Sequence, residues 1–299
     1  MADLHALWDE TGAEEDEALV QAAVRGQRSA LTTLVERHQP FLYHVALRLV
    51  LAPADAEDLA QEALLRILTH LSQYAGKARF RTWAYRILVN CFRQRKRRKM
   101  ESSITSFTAF GEELDELPSA PLHLPAPLEP DRALLVEETK VGCMIGMLMC
   151  LDREQRLTYV LGDALGVPSP LAAEILEVSP ATFRKRLERA RRDLRTFMHD
   201  KCGLMNEANP CRCERKTRAF IEKGWVDPAR RRFTPRRVDE ARAQARDRLR
   251  VVASAAHTRD VELYRSHPRV ESPNFAQRIR ELLDDPELRR GLDLADPAP

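Results

Sequence analysis

Apolar residues recur along this chain at intervals of three and four and scarcely anywhere at two, which suits the 3.6-residue helical repeat and leaves little material for strands. An all-α fold is expected. The sharpest instance follows Pro53, where Ala60, Leu64, Ile67, Leu68 and Leu71 fall on one face and Asp58, Gln61, Glu62 and Leu65 on the opposite one. That helix has two working faces. Asp55, Glu57 and Asp58 stand in its first turn, where negative charge complements the helix dipole, and Pro53 marks its entry. The acidic stripe reads either as a solvated face or as a protein-docking surface centred on Leu65.

A second stretch carries more chemistry. From Phe80 to Lys99 the sequence FRTWAYRILVNCFRQRKRRK interleaves aromatics with arginines and contains no acid. Cationic side chains neutralise phosphates, and Phe80, Trp83, Tyr85 and Phe92 offer flat faces on which unpaired bases could lie, each stack contributing ~1–3 kcal/mol. The plainer alternative is an amphipathic helix with a solvated basic face. Lys+Arg 48 against Asp+Glu 45 gives a net charge of only +3, so the balance of the whole chain does not announce a polyanion partner. The distribution does. Acids crowd the first residues, from Asp9 to Glu17, while bases crowd 77–99 and 184–195.

Several classes are excluded. No apolar run approaches the ~20 residues that span a bilayer, and the acidic amino terminus lacks the order of a signal peptide, so a cytoplasmic protein without membrane partners is expected. The 6 cysteines are too few for a disulfide scaffold and are expected as free thiols or metal ligands. There is no phosphate-binding glycine loop, zinc-protease helix or serine elbow. The chain is expected not to be an enzyme, and no cofactor is required.

The organisation follows from punctuation. An acidic tail covers 1–16, a compact helical unit 17–100, and a proline-rich linker 101–130, where Pro118, Pro121, Pro125, Pro127 and Pro130 gather. A second helical unit occupies 131–199. Within it, two helices each open on Ser-Pro: Ser169 and Ser179 suit N-caps, with Pro170 and Pro180 at the first helical position. A helix of about eight residues, a tight turn at Val178 and a longer basic helix make a helix-turn-helix pattern. On the second helix Phe183, Leu187, Ala190, Leu194 and Phe197 form the apolar stripe, leaving Arg184, Lys185, Glu188, Arg189 and Arg192 outward.

Residues 200–299 form an extension. It opens by placing His199, Cys202, Cys211 and Cys213 close together, a donor set that suits tetrahedral zinc or another thiophilic metal, although Cys-x-Cys is tighter than the usual spacing. A redox-sensitive thiol group and an ordinary structural turn are the alternatives. Cys91, Cys143 and Cys150 lie on apolar helical faces and read as core. Farther on, 238–256 and 273–283 read as helices, the former with Leu249, Val252 and Ala256 on one face.

The runs DAEDLAQEALLRILTHL, FRTWAYRILVN, LDREQRLTYVL and EVSPATFRKRLERARRDLR, in this order and spacing across 17–199, closely resemble the extracytoplasmic-function (ECF) group of bacterial sigma factors. The resemblance implies a first domain that binds core RNA polymerase and opens the −10 element, and a second that reads the −35 element as duplex. It places Asp58, Leu59, Gln61, Glu62 and Leu65 at the segment that docks on the β′ clamp helices, with the β flap as a second contact. It assigns Arg79, Phe80, Trp83, Asn90 and Arg93 to capture of a base flipped from the −10 non-template strand, and Arg184, Lys185, Glu188 and Arg189 to −35 reading. Melting would then be driven by stabilising the separated strand rather than by ATP.

The chain departs from the pattern in two places. Many relatives carry an aspartate shortly after the position of Asn90, where this chain has FRQRKRRK, and Pro168 and Leu171 stand where a Ser-Tyr-Glu-Glu type entry is common. The extension resembles those of extended ECF factors whose cysteine-containing tails regulate the factor, and an anti-sigma factor is a further partner left open. The competing class is a free-standing helix-turn-helix regulator that binds duplex DNA without polymerase. An enzyme built on the tail would need a base such as His199 or Glu207 linked to a nucleophile, and no spacing links them.

Overall fold

A computed structural model describes residues 13–50, 53–95, 106–229, 261, 264 and 272–283. The described residues form eleven α-helices and no strand, as the three-and-four spacing requires. They divide into two units, one of residues 1–96, 167–180 and 271–299, the other of residues 97–166 and 181–270.

In the first unit α1 (Ala13–Val24), α2 (Arg28–Leu49), α3 (Pro53–Thr69) and α4 (Phe80–Gln94) pack in sequence order. The apolar face of α3 is wider than expected: Ala56, Leu59, Ala60, Ala63, Leu64 and Ile67 are all buried, at the i, i+3, i+4, i+7 spacing that turns one stripe toward a core. On α4 the buried set is Phe80, Ala84, Tyr85, Leu88, Val89, Cys91 and Phe92, with Thr82 beside them. The acidic segment enters this core as well. Asp16 is buried on α1, 3.1 Å from His38 Nε2 and 2.9 Å from Arg37 Nη1. Burial opposes its ionisation, but the hydrogen bonds and charges of His38 and Arg37 prevail and hold its carboxyl below the usual value.

Two later segments complete this unit. Helix α8 (Ser169–Leu176) packs on α4, and α11 (Phe275–Leu283) packs on α2. Phe275, Ala276 and Ile279 are buried there, and the Ala276 N–H donates to Gln39 Oε1 at 2.9 Å. Residues 272–283 of the tail therefore belong to the first unit.

The second unit is built on α5 (Phe107–Glu116), α6 (Arg132–Cys150), α7 (Arg153–Tyr159), α9 (Pro180–Lys201) and α10 (Cys213–Glu222). The expected linker is only partly a linker. Ser106 caps α5 by accepting from the Ala109 N–H at 3.1 Å, and Phe110, Leu114, Leu117 and Leu122 are buried, so 106–131 belongs to the core of this unit. Gly146 makes room for that helix: a Cβ there would stand 2.6 Å from the Phe110 ring. Helix α7 opens on a capping box between Asp152 and Gln155 and runs into a π-turn over Val160–Ala164.

The extension is likewise built in rather than appended. Lys216 is buried and donates to Leu114 O at 2.8 Å, while Phe220 and Trp225 meet edge to face at 4.8 Å. Tyr264 is buried against Tyr159 and donates to Met144 O at 3.2 Å. The basic run 96–99 and the expected helix over 238–256, with Leu249, Val252 and Ala256, lie outside the described residues.

Candidate functional site

On α3, Asp58 is exposed and Gln61, Glu62 and Leu65 are half-buried on the face away from the core. Leu59 is not with them. It is fully buried, because it shares the inward face with Ala56, Ala63 and Ile67, and it cannot serve as a docking side chain without unfolding the helix from its core. The acids of the outward face already have cationic neighbours. Arg95 lies 3.4 Å from Asp58 and 3.6 Å from Asp55, and Glu62 pairs with Arg66 at 2.8 Å one turn away. Arg66 also donates to Gln94 at 2.7 Å, so α3 and α4 are tied across their polar edges.

Helix α4 divides its aromatics. Phe80, Tyr85 and Phe92 are core residues, so three of the four rings expected to face bases are unavailable; Phe80 sits among His38, Tyr74 and Trp83 at ring separations of 5.1–5.7 Å. Trp83 is half-buried and remains at the surface with exposed Arg79 and half-buried Asn90. Arg93 donates to Leu176 O at 3.2 Å, and Arg86 donates to both the carbonyl and the carboxylate of Glu174 at 3.1 Å. Two arginines of α4 thus donate to carbonyls at the C-terminus of α8.

Helices α8 and α9 have the expected lengths, 8 and 22 residues, joined through Glu177 in the left-handed conformation with φ 57°. Helix α8 starts one residue early, at Ser169 with Pro168 as N-cap, so Ser169 is its first helical residue and not its cap. On α9 the apolar stripe Phe183, Leu187, Ala190, Leu194 and Phe197 is buried as expected. Gly162 lets it approach the π-turn, since a Cβ there would stand 3.0 Å from Leu187 and 3.1 Å from Phe183. Arg191 clamps Asp163 through two bonds of 2.7 and 2.6 Å, and Arg186 reaches Glu154 at 2.9 Å. Arg184, Lys185, Glu188 and Arg189 all point outward, exposed. The helix is fixed by one set of arginines and presents another.

In the extension, His199 does not join the cysteines as a donor. Its ring is exposed and lies 3.5 Å from Asp200, while its carbonyl accepts from the Asn209 side chain at 2.8 Å. A parallel backbone bridge joins Cys202 to Cys211, and Cys213 is the first residue of α10. Cys143 lies on α6, the helix on which α10 packs. It is half-buried, and its thiol is pushed well above its usual pKa by burial first and then by Cys213, Cys211, Cys202 and Cys150. Burial likewise raises Cys213 to about 12, with Cys202 and Cys211 adding to the effect. Cys91 is core as expected.

The family model for Sigma-70 region 2 matches residues 34–101, which hold most of α2 and all of α3 and α4. The RNA polymerase sigma-H factor of Pseudomonas aeruginosa is 29% identical over 183 residues, covering 60% of this chain and 91% of the relative. The ECF RNA polymerase sigma factor SigE of Mycolicibacterium smegmatis is 28% identical, with 66% and 75% covered, and the ECF RNA polymerase sigma-E factor of Escherichia coli K12 is 27% identical, with 59% and 90% covered. Residues 34–101 thus match a Sigma-70 region 2 domain, and the chain is similar to ECF sigma factors of the sigma-70 family over about 60% of its length.

A sigma factor is a transcription initiation factor and not an enzyme, and its partner is RNA polymerase. Among the described residues of this sigma factor no helix is long and apolar enough to cross a membrane. Two of its features were hidden in the sequence. The pairing of Arg95 with Asp58, and of Arg86 and Arg93 with α8, joins residues far apart in the chain; the one local signal was the surplus of arginine over acid on α4. Cys143 was hidden for another reason, since Gly142, Met144 and Ile145 around it read as packing.

Proposed function

We propose that this sigma factor docks on the β′ clamp helices of core RNA polymerase through Asp58, Gln61, Glu62 and Leu65, with the second unit contacting the β flap. Arg79, Trp83, Asn90 and Arg93 hold the opened −10 non-template strand, and Arg184, Lys185, Glu188 and Arg189 read the −35 element as duplex. The observation that carries this reading is the outward face of α9: four charged side chains, all exposed, opposite a fully buried apolar stripe. Such a helix can enter a major groove, with Arg184 or Arg189 bidentate to guanine and Glu188 accepting from cytosine.

On α4 the exposed part of the strand-holding set is small. One half-buried indole and three polar side chains stabilise a flipped base, while Phe80 supports Trp83 from below. Capture of the strand by Arg93 requires that it leave Leu176 O. The tail bears on the same unit. In α11, Arg278 lies 4.0 Å from Glu57, the residue before Asp58, and Arg280 lies 3.3 Å from Glu36, so this helix stands beside the docking face and regulates access to it.

Electrophoretic binding to a cognate promoter, with and without core polymerase, tests the class. The expected result is promoter binding and runoff transcription with core and negligible binding by the chain alone. Tight duplex binding without polymerase would identify a free-standing regulator instead. Deletion of 271–299, which spares the buried α10, is expected to raise core affinity, and unchanged affinity would remove the regulatory role of α11.

A further inference from the structure

Trp83, Arg86, Asn90 and Arg93 follow one another at intervals of three, four and three, so they share one stripe along α4. Three of the four belong to the strand-holding set. The fourth, Arg86, donates to the carbonyl and the carboxylate of Glu174, both at 3.1 Å, while Arg93 donates to Leu176 O at 3.2 Å. Both arginines of the stripe are thus engaged by α8. The acceptors lie in the last turn of that helix, at the negative end of its dipole, and they meet a helix, Phe80–Gln94, that contains no acid. Helix α8 packs on α4, and its Ala172, Ala173, Ile175 and Leu176 are buried.

The division of the chain bears on the same contact. Helix α8 counts with the first unit, whereas α9, its partner in the helix-turn-helix pattern, counts with the second from Ala181 onward. When a helix-turn-helix binds duplex DNA, its first helix crosses the backbone beside the reading helix. One contact therefore engages part of the −10 and part of the −35 machinery.

We propose that α8 is an internal competitor of the opened −10 strand: in the free chain it holds the arginines of the α4 stripe, and it must leave before the strand lies there. The proposal rests on the strand-holding role of α4 given above. Competition follows from the donors, since an N–H of Arg93 given to Leu176 O is not given to a phosphate or a base. The occupant is also easily displaced. Helix α8 has only 8 residues, too few to persist as a helix away from its packing, and exposed charge contacts of this kind are individually weak. By linkage, whatever lifts α8 strengthens strand binding, and strand binding loosens α8 to the same degree.

The test uses the full chain without polymerase, a fluorescent single-stranded −10 oligonucleotide, and hydrogen exchange over 172–178 read by mass spectrometry. Glu174→Arg removes an acceptor of Arg86 and sets a cation against the stripe. Glu177→Arg makes the same change of charge at an exposed residue that takes no part in the arginine contacts. Glu174→Arg is expected to raise oligonucleotide affinity three- to tenfold and to speed exchange over 172–178, while Glu177→Arg stays within twofold of the unaltered chain. Saturating oligonucleotide is expected to speed the same exchange in the unaltered chain. Equal gains from both variants would assign the effect to added charge alone, and exchange unchanged by the oligonucleotide would show that strand and α8 coexist; either result overturns the proposal. Trp83→Ala in the holoenzyme separates this failure from that of the underlying reading. If strand binding there depends on Trp83 but Glu174→Arg brings no gain to the free chain, the competitor alone is refuted; if it does not depend on Trp83, the strand-holding role falls and the competitor with it.

Discussion

The outward face of α9 and the outward faces of α3 and α4 are both charged, but they stand in opposite states. On α9, Arg184, Lys185, Glu188 and Arg189 are exposed, and none is paired with a described residue. On α3 and α4 the charges are already answered from within the same unit: Asp58 by Arg95, Glu62 by Arg66, Arg86 by Glu174 and Arg93 by Leu176 O. On the proposed reading, a surface of the first kind meets its partner without giving up internal partners, at the cost of desolvation and side-chain ordering. A surface of the second kind must exchange internal partners for external ones, so its net gain is a difference between similar quantities. Exposed pairs of this sort contribute about 0.2–1 kcal/mol each, which makes the exchange readily reversible.

That contrast can be tested from its strongest consequence downward. Leu59→Ala is expected to destabilise the first unit by about 2–5 kcal/mol, because the side chain is wholly buried, whereas Leu65→Ala is expected to change stability by no more than about 0.5 kcal/mol. Urea unfolding of both variants checks this; equal and small effects would return Leu59 to the docking face. Arg184→Ala or Arg189→Ala is expected to cost about 1–3 kcal/mol of promoter affinity, or roughly five- to 150-fold, only on promoters with an intact −35 element. A loss that is uniform across −35 variants would assign these side chains to phosphates instead.

Smaller effects sharpen the other half of the comparison. Glu174→Ala removes the carboxylate partner of Arg86 but keeps its bond to the carbonyl of residue 174, and by the added positive potential beside Arg93 it is expected to improve −10 strand binding by a few-fold at most, measured with a single-stranded −10 oligonucleotide and the holoenzyme. The smallest concerns acid. Because His38 and Arg37 depress the Asp16 carboxyl, its contribution to stability is complete above the unfolded-state pKa and is lost as pH falls through the lower folded-state value. Asp16→Asn should therefore lower stability at neutral pH and flatten its acid limb, seen by thermal unfolding from pH 7 to pH 3.

Much of this was written in local spacing. The stripe from Phe183 to Phe197 is a single-helix property, and every member is buried as its period requires. The same reasoning placed Asp58, Gln61, Glu62 and Leu65 on a surface face of α3; Leu59 was joined to them by the resemblance alone, and it lies in the buried arc of that helix. On α4 the aromatics divide between core and surface according to neighbours on α2 that no local pattern reveals. Helix α5 shows the opposite failure. Ser106, Phe110, Leu114 and Leu117 carry a cap and a helical period, but the prolines from 118 to 130 dominated the reading of that stretch. Cys143 and the anchoring roles of Arg186 and Arg191 are tertiary facts, set by α7 and α10.

The central claim is that one face of the first unit docks the polymerase while another holds the opened strand. The most direct measurement is a paired assay of Trp83→Ala and of Asp58→Ala with Gln61→Ala, by core-binding titration and by permanganate footprinting of the −10 region on a cognate promoter. Trp83→Ala is expected to abolish thymine reactivity in the −10 region while leaving core affinity within about twofold, and the acidic-face double variant is expected to weaken core binding first. Equal losses in both assays for both variants would contradict the account.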